Sequence, residues 1–429
     1  MKKVLIITYY WPPAGGPGVQ RVLKFVKYLP DFGWQPIVLT VQDGEFIAID
    51  ESLQKEIPDG LKVFKTKALE PNLLYKKFIG MDKGALIPDA VLTEKEIDWK
   101  KRFSHWIRLN LFIPDAKIGW LPFAVKKGKE IIKKEKPHVL FSSSPPPTVH
   151  LIAKKLAAAA KLKWVADFRD PWTNIHYYNK LPKSAVSEWL DKRLERGVLL
   201  KADRITMVND DFFDRIDVPK TSIISNGFDS ADRPTIDKGK RNPQFTIRYM
   251  GSLKSRQYVE SFFRLIRDLC NKDEFHGQIF IELIGNILPE VREKIEQQNI
   301  RCPVKFIPYQ KHNTVLQKIA EADLLLLFIG RSDMAPKIIS GKVFEYLMVQ
   351  KPVLAYGPVG GAADELLKKT GAGALFDYED FNGAKKFLLS LLKNWQENKK
   401  FDRLKPEEIN KYERKTLTRS LASLFEELI

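Results

Sequence analysis

Short apolar runs of strand length alternate with amphipathic segments along most of the chain. Residues 3–9 and 35–41 form two such runs, and segment 19–29 between them repeats its apolar residues with helical spacing. This order of strand, helix and strand predicts a parallel sheet with helices on both faces. Further strands are predicted at 138–143, 163–168, 203–208, 222–225, 245–250, 279–284, 304–307, 323–328, 352–356 and 374–376.

A polar, charged stretch at residues 229–243 separates two series of such elements and predicts an interdomain linker. The chain of 429 residues is also too long for one compact core. We therefore expect an α/β protein with two Rossmann-like domains facing each other across a cleft. The expected divisions are an N-terminal domain 1–228, the linker 229–243, a C-terminal domain 244–404 and a final helix within 405–429.

The composition points to an anionic partner. The net charge is +18, and a hydrophobic content of 44% excludes a largely disordered protein. Nucleic acid, an acidic membrane surface or a phosphorylated ligand would each fit this charge, but the sequence has no recognisable nucleic-acid-binding motif or concentrated basic stripe. With only Cys270 and Cys302, we expect no disulfide framework, no metal cluster and a reducing compartment.

Membrane attachment is a separate question. The N-terminal apolar run is too short for a signal peptide, and no run is long enough to cross a bilayer. Segment 99–112 mixes aromatic residues with cations, and as a helix it would suit either a membrane interface or packing on its own domain. We expect a cytoplasmic protein, either free or attached to the inner face of the membrane.

The stretch 336–356 contains the clearest candidate for a ligand site. Ser340 and Gly341 can open a helix that places Lys342 in its first turn and Glu345 on the same face. A cation at a helix N-terminus suits a phosphate, and the carboxylate could accept hydrogen bonds from the two hydroxyls of a ribose. The alternative is an ordinary helix whose charges face water.

Two further loops could contact the same kind of ligand. The turn that follows the first strand of the second domain begins at Gly251 and contains Lys254 and Arg256. Near the N-terminus, a loop containing Gly15 and Gly16 permits close approach of the backbone to a ligand. That loop does not match the dinucleotide-binding fingerprint, because an arginine occupies the position of the third glycine.

The segment DFRDPW follows a predicted strand and concentrates polar groups at its carboxyl end, where ligands bind in open α/β sheets. Asp167 and Asp170 around the guanidinium of Arg169 could form a structural ion pair or could orient the hydroxyls of a substrate. We favour the second interpretation, because position and composition agree.

Taken together, these segments resemble the GT-B fold glycosyltransferases of the large retaining class called glycosyltransferase family 4, especially bacterial enzymes that build surface polysaccharides. The resemblance covers nearly the whole chain and rests on PPAGGPGVQR, SSSPPPTVHLIA, VADFRDPWT, SNGFD, YMGSL and SGKVFEYLMVQKPVLAYGP. It implies that the N-terminal domain binds the acceptor, that the C-terminal domain binds the donor, and that the last helix, 406–428, returns to the first domain.

The resemblance also implies roles for individual residues. Glu345 matches the residue that holds the ribose of the nucleotide, and the acceptor-side wall of the reaction centre would comprise the catalytic candidates Asp167, Arg169 and Asp170. The family often carries a second glutamate eight positions earlier, next to the donor sugar, where this chain has Lys337. The donor's phosphates and sugar would lie beside Gly15, Gly16, Gly251, Lys254, Arg256, Ser340, Gly341 and Lys342.

The implied reaction is the transfer of a hexosyl or related group from a nucleoside diphosphate sugar, with retention, to a glycan or a lipid-linked acceptor. The sequence contains no DxD triplet, so neither a metal nor another cofactor is expected. Two alternatives remain on the same fold. One is a protein that binds nucleotide sugars without transferring them, and the other is an enzyme that isomerises them.

Overall fold

In the computed structural model the chain forms two compact units. Unit 1 comprises Met1–Ser225 together with Leu417–Ile429, and unit 2 comprises Asn226–Thr416. The structure describes all residues except 45, 47–48, 70–105, 175–177, 179–181, 210–219, 236–240, 273–274, 276 and 400.

Unit 1 is built on a seven-stranded parallel sheet of order β3-β2-β1-β4-β5-β6-β7. The order reverses between β1 and β4, so this is the switch point at which ligands bind in such sheets. The strands are β1 (Lys2–Ile7), β2 (Trp34–Val41), β3 (Lys62–Thr66), β4 (Val139–Ser144), β5 (Lys163–Phe168), β6 (Arg204–Met207) and β7 (Thr221–Ile223).

Helices cover this sheet. Residues 106–111 are helical as well, and they belong to the predicted segment 99–112, of which 99–105 lie outside the described residues. The named helices of unit 1 that precede unit 2 are α1 (Pro17–Tyr28), α2 (Leu121–Glu135), α3 (Thr148–Ala160) and α4 (Ala185–Lys201).

Unit 2 repeats the plan with a six-stranded parallel sheet of order β10-β9-β8-β11-β12-β13. Its order reverses between β8 and β11. The strands are β8 (Phe245–Met250), β9 (Ile279–Ile284), β10 (Val304–Ile307), β11 (Leu324–Phe328), β12 (Val353–Tyr356) and β13 (Gly373–Phe376).

The helices of unit 2 lie between these strands and after them, and the last one continues into unit 1. They are α5 (Glu260–Cys270), α6 (Pro289–Glu296), α7 (His312–Ala320), α8 (Gly341–Val349), α9 (Ala362–Thr370), α10 (Phe381–Gln396), α11 (Pro406–Ile409) and α12 (Arg414–Glu426).

The predicted α/β class with parallel sheets is confirmed, but the prediction of a continuous final helix over 406–428 is wrong. The chain breaks at Glu413, between α11 with its 3-10 extension and α12. The break has a visible cause. Phe228 donates its N–H to the carbonyl of Tyr412 (3.0 Å) and accepts from the N–H of Arg414 (2.7 Å). The backbone around Glu413 therefore forms a parallel β-bridge with Phe228 and does not continue as a helix.

The expectation about the cysteines is corrected as well. Cys270, at the end of α5, and Cys302, just before β10, form a disulfide with a Cα–Cα distance of 5.6 Å. Both are buried in the core of unit 2. Their spacing of 32 residues gave no sign of this pairing, because the fold alone brings them together.

In the part of the chain that the structure describes, none of the helices has the length and apolar character needed to cross a membrane.

Candidate functional site

The turn after β8 and the beginning of α8 meet at the switch point of the unit 2 sheet. Gly251 has a φ of +101°, a conformation that side chains rarely adopt. A Cβ atom at this position would lie 2.5 Å from Cε and 2.9 Å from Nζ of Lys342. Two sequence-predicted residues that are far apart in the chain are therefore in direct contact, and glycine is required where they meet.

The ammonium group of Lys342 has defined partners. Its Nζ donates to the hydroxyl of Tyr249 (2.5 Å) and lies 4.2 Å from the centre of the same ring. A longer bond of 3.4 Å reaches the carbonyl of Ser252, which also accepts from the Tyr249 hydroxyl at 2.6 Å. Tyr249 and the turn after β8 thus hold the cation at the carboxyl edge of the sheet.

Burial changes the charge state of this lysine. It lowers the pKa of Lys342 to about 8, although the negative charge of Glu345 acts in the opposite direction. An approaching anion would favour the protonated form, so the site is suited to a phosphate group.

The N-terminus of α8 opens towards free space. Ser340, at the N-cap, has an extended backbone, and its side chain makes no capping hydrogen bond to the described residues. A Cβ atom on Gly341 would meet no described heavy atom within 4 Å. The first N–H groups of the helix are therefore available to an anion, which the helix dipole also favours.

The turn containing Lys254 and Arg256 lies beside the same switch point. Its residues Ser255–Gln257 form a 3-10 turn in which the Arg256 carbonyl accepts from the N–H of Arg331 (2.9 Å). The Arg256 side chain lies against Gly330, just after β11, where a Cβ atom would come within 3.2 Å. Both Lys254 and Arg256 are exposed.

Glu345 has a partner that no sequence motif indicates. Its Oε1 is 2.9 Å from Nε2 of His312, the first residue of α7. Both side chains are partly exposed, and Oε2 is the oxygen that remains for a hydroxyl of a ligand. The pairing joins α7 and α8 across 33 residues of sequence.

In unit 1 the glycine loop and the DFRDPW segment also come together. Gly16 has a φ of +103° and begins α1. A Cβ atom on Gly18 would lie 1.7 Å from Nη1 of Arg169, so the guanidinium lies directly against the first turn of α1. Arg169 donates through Nε to the carbonyl of Ser144 at the end of β4 (2.9 Å).

The structure gives Asp167 a structural position. It is completely buried and accepts from Nε and Nη2 of Arg21 at 3.1 and 2.8 Å. The hydroxyls of Ser143 and Thr206 donate at 2.6 Å each. Burial raises the pKa of this carboxyl, but Arg21 and these hydrogen bonds outweigh burial and lower it.

The predicted cluster around Arg169 therefore divides in two. Asp167 pairs with Arg21, the residue that replaces the third glycine of the fingerprint, whereas Asp170 is exposed at the carboxyl end of β5. Asp170 and Trp172 help to line a pocket of about 290 Å³. Because the carboxylate of Asp167 has no exposed surface, it cannot contact a substrate, and its predicted catalytic role is wrong. Asp170 is the accessible acid of this segment.

The chain matches neither a protein-family profile nor a curated protein. Among solved structures, Anabaena HepE in complex with UDP and glucose is similar over 100% of both chains, at 14% identity and a TM-score of 0.61. Sucrose-phosphate synthase from Thermosynechococcus elongatus is similar over 100% of this chain and 99% of its own, at 12% identity and a TM-score of 0.62.

The chain has the GT-B fold. A further GT-B structure, the apo form of the lipopolysaccharide outer core galactosyltransferase WaaB, is similar over 100% of both chains, at 13% identity and a TM-score of 0.57. At such low identities the likeness establishes the fold. The residues that this GT-B chain places at the switch points of its two sheets therefore have to be judged by their own geometry.

Proposed function

We propose that the protein is a retaining glycosyltransferase that moves a hexosyl or related group from a nucleoside diphosphate sugar to a glycan or lipid-linked acceptor. The observation that carries the proposal is the meeting of Lys342, Gly251 and the open N-terminus of α8 at the unit 2 switch point. A partly buried ammonium beside free helix N–H groups is suited to a diphosphate.

Each group has a proposed task. Negative charge grows on the diphosphate as the sugar departs, and Lys342 and the α8 N-terminus stabilise it. Arg256 and Lys254 add positive charge from the neighbouring turn, and Glu345 accepts a hydrogen bond from the ribose. The acceptor hydroxyl then attacks from the face that the diphosphate leaves, with retention, and its proton passes to the departing diphosphate. The side chains Arg169 and Asp170 face the acceptor in this proposal.

The proposal extends to the setting of the reaction. We place the protein in glycosyltransferase family 4 and in the synthesis of a cell-surface polysaccharide, in the cytoplasm at an anionic membrane surface. Anabaena HepE has been solved in complex with UDP-glucose, which supports UDP-sugars as the first donors to test. The absence of a DxD triplet supports transfer without a metal.

A screen of nucleotide-sugar donors for nucleotide release, with and without acceptors, tests the proposal. One donor should be cleaved, acceptors should stimulate the release, and EDTA should leave the rate unchanged compared with added Mg²⁺. Failure to bind any nucleotide sugar would overturn the proposal. A rate that depends on Mg²⁺ would overturn its metal-independent part.

A second candidate, binding of a nucleotide sugar without transfer, is favoured by one observation. Lys337 stands where the related enzymes often have a glutamate at the donor sugar. Binding of a donor without hydrolysis or transfer in the same screen would select this candidate. Interconversion of sugars without transfer would instead identify an isomerising enzyme.

A further inference from the structure

The outer face of α4 in unit 1 has an unusual composition. The structure describes the whole helix, and no acidic residue is among its eight exposed positions. Such positions on a soluble helix normally carry polar groups of both signs. Here the exposed residues are Ala185, Val186, Trp189, Lys192, Arg193, Arg196, Leu200 and Lys201.

The three carboxylates of this helix are engaged elsewhere. Asp191 is buried, accepts from the indole N–H of Trp172 (2.7 Å) and pairs with Lys183. Glu195 is buried and accepts from Thr173, while Glu188 pairs with Lys192. The acidic groups thus point into the unit or are paired, and they leave the outer face apolar and basic.

The apolar residues on this face are large and well exposed. Val186, Trp189 and Leu200 have 73%, 58% and 62% of their surfaces in solvent. Their spacing places them with Arg193 and Arg196 along one side of the helix. The guanidinium carbon of Arg193 lies 5.1 Å from the Trp189 ring, so cations and apolar groups are interleaved. A single exposed apolar residue is ordinary, but a row of them marks an interaction surface.

A second element continues this surface. In the helical residues 106–111, Trp106 and Leu111 are 44% and 65% exposed. Asn110 fastens this element to the start of α4, because its side-chain oxygen accepts from the N–H of Ser184 (2.6 Å) and its carbonyl accepts from Ser187 (3.2 Å). We define the docking face as Trp106, Leu111 and the exposed residues of α4.

We propose that the docking face binds an anionic lipid bilayer. Tryptophan and arginine side chains are favoured in the interfacial zone of a bilayer. Aromatic rings insert there at the boundary with the acyl chains, and cations bind the phosphates of the lipid headgroups. Clustered cations add attraction to an acidic surface, and the net charge of +18 extends it over longer distances.

The same charges argue against a second copy of the chain as the occupant. In a symmetric dimer through this face, each copy would present Lys192, Arg193, Arg196 and Lys201 to the equivalent groups of its partner. The α4 part of the face has one carboxylate at its surface, that of Glu188, which is 39% exposed and already paired with Lys192, so the other three cations are left uncompensated. A bilayer with acidic headgroups is complementary to these cations, and another docking face is not.

The position of the face bears on the acceptor. The pocket of about 290 Å³ is lined by Arg108 and Phe112, within and just after helical residues 106–111, and by Lys183 and Asp191, just before and within α4. The pocket therefore shares both elements with the docking face, with Asp191 on the inward side of α4. We infer that the acceptor is carried on a lipid and enters the pocket from the membrane. This inference rests on the proposed transferase function.

Flotation of the full chain with vesicles tests the surface. Wild-type protein should float with phosphatidylglycerol-containing vesicles at low salt and much less at high salt or with pure phosphatidylcholine. The triple variant V186S/W189S/L200S should lose most of this binding. The double variant R193E/R196E should bind at least about tenfold more weakly, because each reversed charge removes one attraction and adds one repulsion.

Three exposed isoleucines elsewhere in unit 1 provide a matched control. Ile49, Ile223 and Ile429 are 60%, 49% and 50% exposed, and their triple serine variant should float like wild type. Circular dichroism shows whether each variant is folded. Failure of wild-type protein to float with the anionic vesicles, or undiminished binding by both docking-face variants, would overturn the proposal. Loss of self-association in the variants without any vesicle binding would instead identify a second copy as the occupant.

The acceptor is tested with glycosides of one sugar that carry either a short, water-soluble alkyl chain or a long chain embedded in vesicles. The V186S/W189S/L200S variant should lose transfer to the embedded glycosides only, with acceptor-free nucleotide release unchanged. Equal loss with both chain lengths, or no loss, would overturn the lipid-linked acceptor. Vesicle binding without any nucleotide release would contradict the proposed function and leave the docking face standing.

Discussion

One ammonium group, that of Lys342, carries most of the proposed chemistry. Replacing this lysine with alanine should lower the turnover for nucleotide release by roughly 10²–10³, the scale of losing one donor that stabilises developing charge. Release should be measured at saturating donor, so that turnover is separated from affinity. The exposed Lys272 of the same unit is the control, and K272A should behave like wild type. Unchanged turnover in K342A would remove Lys342 from the mechanism.

The lowered pKa of Lys342 predicts a pH dependence of binding. The lysine loses its charge as the pH rises through about 8, whereas the terminal phosphate of a nucleoside diphosphate is already ionised above roughly pH 6. The affinity should therefore be highest below pH 8 and fall about fivefold between pH 8 and 9, as one proton is lost.

Titration calorimetry at several pH values checks this prediction. The K342R variant keeps its charge throughout this range and should bind with little pH dependence. A wild-type affinity that does not change between pH 7 and 9 would show that Lys342 does not contact the phosphates.

Glu345 should determine the preference for a ribose. The E345Q variant replaces a charged acceptor by a neutral one, so the preference for a nucleoside diphosphate over its deoxy form should fall by about tenfold. Because His312 only holds the carboxylate, H312A should cause a smaller loss. Competition binding with both nucleotides measures this preference. An undiminished preference in E345Q would place the ribose elsewhere.

At the scale of elements, the buried pair of Arg21 and Asp167 ties several parts of unit 1 together. Arg21 lies on α1 and also donates to the carbonyl of Ile224 (2.7 Å), just after β7, while Asp167 lies on β5. The D167A variant should destabilise the protein by about 3–5 kcal/mol, because the charge of Arg21 would remain buried without its partner. Urea unfolding measures this loss.

The exposed acid of the same segment provides the comparison. D170A should change the free energy of unfolding by less than about 0.5 kcal/mol, as surface substitutions generally do. If D167A were as stable as wild type, the structural assignment of Asp167 would be wrong.

Strands with continuous apolar runs could be predicted from the sequence, whereas marginal elements could not. β3 (Lys62–Thr66) is an edge strand with exposed or partly exposed residues, so it lacks the run that identifies a buried strand. α6 (Pro289–Glu296) buries only Val291 and Ile295, which is too little periodicity to detect in isolation. Both elements are positioned by the rest of the fold.

The same distinction applies to the candidate site. Its local parts, from Ser340 to Glu345 and around Gly251, could be predicted because they are short motifs. Partners from distant segments could not: Tyr249 is 93 residues from Lys342, and Arg21 is 146 residues from Asp167. Such pairs exist only once the sheets have formed.

At the scale of the whole molecule, the C-terminal segment completes the core of unit 1. Phe425 on α12 is fully buried, and its ring lies 5.1 Å from Trp34 and 5.9 Å from Phe141. F425A should therefore destabilise unit 1 by about 3–5 kcal/mol through lost contacts and an internal cavity. Thermal unfolding measured by calorimetry checks the loss, and I429A, at a half-exposed position, should leave the transition unchanged. A wild-type transition in F425A would show that this segment does not contribute to the core.

The return of the chain to unit 1 has a consequence for biosynthesis. Unit 2 is an insertion whose residues are contiguous, and Phe228 pairs with residues 412 and 414 where the chain enters and leaves it. Unit 2 can therefore fold as soon as its own residues have emerged from the ribosome. Most of unit 1 is synthesised first, but its core stays incomplete, with apolar side chains exposed, until residues 417–429 have been made. Unit 1 is therefore begun first and completed last, and during that interval its exposed apolar surface favours aggregation.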